Sequence, residues 1–140
     1  MFEPIREQIK SKLESISNIQ AVYDYPTEDV SGYPAALIET VRNESDRESI
    51  TENERFYIFN IYLIQESEKT PRRSVRRIIE GLVDEVINSF DQDESLTGIS
   101  FSNSRYTMLA VNPALSEIVS AEKYVTAVIE LTVRVSFDKE

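Results

Sequence analysis

Residues Arg55 to Gln65 (RFYIFNIYLIQ) constrain the fold more than any other part of the chain. At a period of two, both alternate sets are apolar. Phe56, Ile58, Tyr62 and Ile64 form one, Tyr57, Phe59, Ile61 and Leu63 the other, and Asn60 interrupts the first. The aromatic and β-branched content marks a strand. A strand apolar on both faces is central in its sheet and covered twice, by helices on one side and something else on the other. A neighbouring subunit is one way to supply that second cover.

The flanking segments suit such a strand. Phe2, Ile5, Ile9, Leu13 and Ile16 recur at helical spacing, so an amphipathic helix is predicted over Glu3–Ser17, with Pro4 harmless in its first turn. Thr70-Pro71 reads as a helix start, with Thr as N-cap and Pro at the first helical position. Val75, Ile78, Ile79, Leu82, Val83, Val86, Ile87 and Phe90 then form a broad apolar stripe. Short strands are predicted at Ile19–Tyr23 and Ala35–Arg42, separated by the turn-rich loop Asp24–Pro34. Asn43–Glu54, polar with one apolar residue, reads as a solvent-exposed excursion. Ile99–Val111 reads as an irregular strand broken by Asn112-Pro113, and Pro113–Lys123 as a loop or a short helical turn. Tyr124–Phe137 alternates apolar and polar almost throughout, the pattern of an antiparallel strand with one buried and one wet face. The expected fold is α+β in the order α-β-β-β-α-β-β, a mainly antiparallel sheet with two helices packed on one face. Residues 1–140 are expected to form one domain.

Composition removes whole classes of chemistry. The 140 residues include no Cys and no His, so disulfides, Cys/His zinc sites, a thiol nucleophile and imidazole acid–base catalysis are all excluded. Fifteen basic against 25 acidic residues leave a formal charge of −10, which repels nucleic acid and anionic membrane surfaces. No stretch approaches the roughly 18 apolar residues of a membrane span. The first residues lack a signal-peptide pattern, so the chain is expected to remain in the cytoplasm after synthesis. Gly32, Gly81 and Gly98 are isolated, which rules out a phosphate-cradling loop. Asp91-Gln92-Asp93-Glu94 has calcium-loop flavour, but Leu96 stands where a ligand oxygen would be needed. Acidic pairs such as Glu80/Asp84 and Glu52/Glu54 are expected by chance in a chain with 18 Glu and 7 Asp. No catalytic, metal or cofactor site is expected, and no enzymatic activity.

Arg72, Arg73, Arg76 and Arg77 stand out: four of the ten arginines crowd into the start of the second helix. The helix dipole disfavours cations there by some tenths of a kcal/mol each. Like charges at i,i+4 add a similar penalty. Three readings fit: a solvated face of mixed salt bridges, a phosphate contact, or a contact between subunits. For the last, the acidic residues Glu44, Asp46, Glu48, Glu52 and Glu54 of the excursion are the candidate complement, and together they could form a head-to-tail contact.

The wording VYDYPTEDVSGYPAALI (Val22–Ile38), the strand RFYIFNIYLI and the closing strand YVTAVIELTVRV, in this element order, resemble the small head–tail joining proteins of tailed bacteriophages. Within that group the chain resembles most the tail terminators of long-tailed phages and prophages, over nearly its whole length. The resemblance implies a subunit of a hexameric ring, without enzymatic activity or cofactor. The ring caps the tail tube built of tail tube protein, stops its elongation and docks the head through a head-completion or connector protein. The resemblance places such a ring at the head–tail junction of the virion, after assembly in the host cytoplasm. DNA would pass through its lumen without specific binding. Six copies of a −10 chain would carry −60, so an acidic lumen would leave DNA mobile. Another neck or head-completion component, and a bacterial α+β module binding a peptide or small molecule, are the alternative readings.

Overall fold

In the computed structural model of the protein, residues 2–46, 52–68, 71–92 and 106–138 are described. They form α1 (Phe2–Glu14), β1 (Ala21–Tyr23), β2 (Ala35–Asp46), β3 (Glu52–Glu66), α2 (Arg72–Gln92), β4 (Tyr106–Ser120) and β5 (Tyr124–Asp138), the element order the sequence predicts. One sheet runs β1-β2-β3-β5-β4, so the doubly apolar segment is its middle strand. Only β1 and β2 are parallel; the other neighbours are antiparallel.

The core lies between the helices and one sheet face. Ile5, Ile9 and Leu13 of α1 and Val75, Ile79, Leu82, Val83, Val86 and Phe90 of α2 cluster with Tyr57, Phe59, Ile61 and Leu63 of β3. The alternating residues Val125 to Val135 of β5 complete that cluster, the buried face expected for this strand. Phe2 seats α1 on β3, its ring edge-on to Tyr57 at 4.9 Å and to Phe59 at 5.7 Å between centroids. Edge-to-face pairs of this kind add about 1 kcal/mol beyond burial.

Several boundaries differ from the sequence reading, each for a tertiary reason. The Asn43–Glu54 segment is not a separate excursion at its ends, because β2 runs on to Asp46 and pairs it with Glu54 of β3. The other edge of β3 is paired with β5 as far as Glu52↔Asp138, which gives β2 a backbone template that its polar composition does not reveal. A register shift between Thr40 and Arg42 accommodates the twist, with Val41 left exposed. Asn112-Pro113 does not break β4, which continues to Ser120. β4 is an edge strand of the sheet, a place where a proline is tolerated. At the start of α2 the Pro71 carbonyl accepts from the Ser74 and Val75 amides at 3.0 and 3.1 Å, so Pro71 stands just before the first helical residue. Ile78 leaves the apolar stripe and is 41% exposed. Thr70, Asp93, Glu94, Leu96 and Gly98, and residues 99–105 of the irregular strand expected at Ile99–Val111, lie outside the described residues.

Candidate interaction surfaces

The sheet face turned away from the helices is the first candidate. Strand alternation places Phe56, Ile58, Asn60, Tyr62 and Ile64 there, and all but Ile58 are only half-buried. Polar pairs lace this face. Glu39 of β2 accepts from the Tyr62 hydroxyl at 2.7 Å and from the Asn60 amide at 3.4 Å. Arg134 of β5 donates through Nε to Glu54 Oε2 at 2.9 Å and through Nη2 to the other carboxylate oxygen, a two-point clamp. Arg42 donates to Glu44 at 2.8 Å. Partial burial, and then the hydrogen bond it gives Glu39, push the Tyr62 phenol above its ordinary range.

These contacts also locate the residues singled out in the sequence. Glu44 and Glu54 already have arginine partners in their own chain, and Glu48 and the side chains of Asp46 and Glu52 lie outside the described residues. Arg72, Arg73, Arg76 and Arg77 are exposed on the first two turns of α2. Arg72 donates through Nη2 to the Ala121 and Glu122 carbonyls at 3.3 and 3.4 Å, clipping the helix start to the β4–β5 turn. Arg73, Arg76 and Arg77 form no hydrogen bond or ion pair with a described residue. Among the described residues the two expected sets are not brought together within one chain. The arginines sit by the turn before Tyr124, whereas Glu54 pairs with Ser136, about 40 Å along β5 at 3.3 Å per residue.

A tyrosine corner forms that the order of residues along the chain does not reveal. The loop Asp24–Pro34 reaches over one end of the half-buried face and encloses a cleft of about 550 Å³, lined by Glu28, Val30, Tyr33, Ile64, Tyr124 and Thr126 among others. The rings of Tyr33 and Tyr124 lie 5.9 Å apart at a tilt of 36°. Burial, followed by a hydrogen bond to Tyr124, pushes the Tyr33 phenol up to about 12. At the loop's base the Ser31 amide donates to the Tyr23 hydroxyl at 2.8 Å. The two hydroxyls lie 3.0 Å apart. These bonds, the hydroxyl's first, lower the Tyr23 phenol below its usual 10.0. The available signal was that three of the seven tyrosines, Tyr23, Tyr25 and Tyr33, fall in or beside this loop. A second cleft, of about 460 Å³, runs along α2 beside Ile78 and Gly81, with the Asn18 amide donating to Glu85 at 2.7 Å at its edge. Among the described residues no three His, Cys, Asp or Glu side chains gather as metal ligands, and no helix is long and apolar enough to cross a membrane.

No family model matches the chain, and no curated protein matches it. Among solved structures, a chain from the virion of native gene transfer agent (GTA) particle is similar in fold. The TM-score is 0.55 at 13% identity, over 93% of this chain and 94% of that one. At that identity the likeness is one of fold.

Proposed function

We propose that this protein is a structural subunit of a phage-type virion, and within that class a tail terminator. Six copies would close a ring that caps the tail tube, stops its elongation and presents a docking surface for the head-completion or connector protein. DNA would cross the lumen unbound, and the subunit would carry out no chemistry. The observation that carries this reading is the fold likeness over nearly the full length of both chains to a component of a virion particle. The sheet supports it, because Phe56, Tyr62 and Ile64 leave a half-apolar face that α1 and α2 do not cover. Subunit packing is the ordinary way to bury such a face. The arginine cluster is compatible with it, since Arg73, Arg76 and Arg77 are exposed, form no hydrogen bond or ion pair with a described residue and are available to another copy.

Native mass spectrometry across rising protein concentration, with and without millimolar Mg²⁺ to screen the charge, tests the proposal. A six-fold species that also caps tubes of tail tube protein at a fixed length is the expected result. A chain that stays monomeric even when mixed with those tubes would sink it and favour a small-molecule or peptide-binding module.

A further inference from the structure

We infer that the cleft formed by Tyr33, Tyr124 and Glu28 receives the arginine face of α2 from a second copy of this chain. The inference rests on the self-association in the reading above, not on six-fold closure or a place in a virion. It starts from two surfaces that each lack what the other offers. The cleft presents two tyrosine rings, 5.9 Å apart and tilted, with the exposed carboxylate of Glu28 in its lining. No described cation pairs with that carboxylate. Aromatic faces beside a carboxylate are the chemistry that recognises a guanidinium, which stacks on the ring while its N–H fork meets the acid. A cleft of about 550 Å³ is within the size range of sites that enclose a small ligand, so it has room for an arginine side chain.

The arginine face is the complement. Arg73, Arg76 and Arg77 are exposed, close to one another, and without a partner among the described residues. They stand where the helix dipole and mutual repulsion both disfavour them, so docking on an acid and two aromatic rings relieves a local penalty. In a chain of charge −10, association needs cations at the contact, and this is the densest group of them.

Geometry makes the contact intermolecular. α2 packs on the core side of the sheet, whereas the cleft opens on the other side, under the loop Asp24–Pro34. The two surfaces flank the same turn: Arg72 donates to the Ala121 carbonyl, and Ala121 lines the cleft. One copy therefore carries both halves on opposite sides of one sheet end and cannot join them to each other. A contact between unlike surfaces is head-to-tail, and it generates rings or open chains.

Sedimentation of the full chain at low salt tests this with two variants, Glu28→Ala/Tyr124→Ala in the cleft and Arg73→Glu/Arg77→Glu on the helix. All four positions are exposed, and circular dichroism with a melting curve checks that each variant is folded. The wild type is expected to self-associate in a salt-sensitive way. The helix variant should lose about a hundredfold in affinity and the cleft variant about tenfold. An equimolar mixture of the two should form 1:1 pairs and nothing larger, because only one intact cleft and one intact arginine face remain per pair. A cleft variant that assembles like the wild type overturns the inference and moves the arginines' partner elsewhere, as does a wild type that stays monomeric at millimolar concentration. If both variants fail alone and pair when mixed, but the wild-type particle is not six-fold, the contact stands and the terminator ring falls.

Discussion

The two faces of β3 are built from nearly the same residue types and meet different fates. On one, Tyr57, Phe59, Ile61 and Leu63 are sealed under α1 and α2; on the other, Phe56, Tyr62 and Ile64 stay half-buried among hydrogen bonds. The difference shows that an apolar alternation marks a face as able to be covered without saying by what. Asn60 is the only residue of the strand's middle that tells the faces apart, and the structure uses it that way, with its amide on Glu39 of the open side.

The strongest way to test that contrast is to truncate the sealed face. Phe59→Ala removes a fully buried ring in contact with Phe2, and should cost about 3–5 kcal/mol in urea unfolding. A cost below about 1 kcal/mol would mean that this face is not the core. The open face should respond less. A double-mutant cycle on Glu54 and Arg134 should give a coupling of about 1 kcal/mol, since the clamp is two-pointed but partly solvated. A coupling of zero would reduce the clamp to a surface contact.

The smallest effect lies at the corner where the loop Asp24–Pro34 meets that open face. The Tyr33 phenol titrates near 12 in the folded chain against an ordinary 10.0 in the unfolded one. Its contribution to stability is complete below pH 10 and is lost as pH rises towards 12, because the unfolded chain gives up the proton first. Thermal melts between these pH values should therefore fall less steeply for Tyr33→Phe than for the wild type. Parallel slopes would show that Tyr33 is as exposed as an unfolded tyrosine.

Much of this was open to reading along the chain. The helical spacing of Ile5, Ile9 and Leu13, and the stripe from Val75 to Phe90, report periodic burial that any packed helix must obey. The strand tips were hidden for a different reason. Glu44 and Asp46 have no local preference for strand, and only the hydrogen-bonding edge of a β3 already paired with β5 holds them in the ladder. Pro113 was misleading in the same sense. It signals a break unless the strand is known to lie at a sheet edge, which is a property of topology. The candidate surfaces divide likewise. The arginine cluster is contiguous in sequence and was visible, whereas the Tyr33–Tyr124 pair joins residues 91 positions apart and becomes a cleft only when the loop folds over the sheet.

The sequence by itself determined the α+β order and the central place of β3, because those follow from side-chain period and residue type. Tertiary structure alone decided which face of β3 the helices seal, how far β2 and β4 extend, and that Glu44 and Glu54 are claimed by Arg42 and Arg134. Such outcomes depend on contacts between distant segments, which no local pattern records.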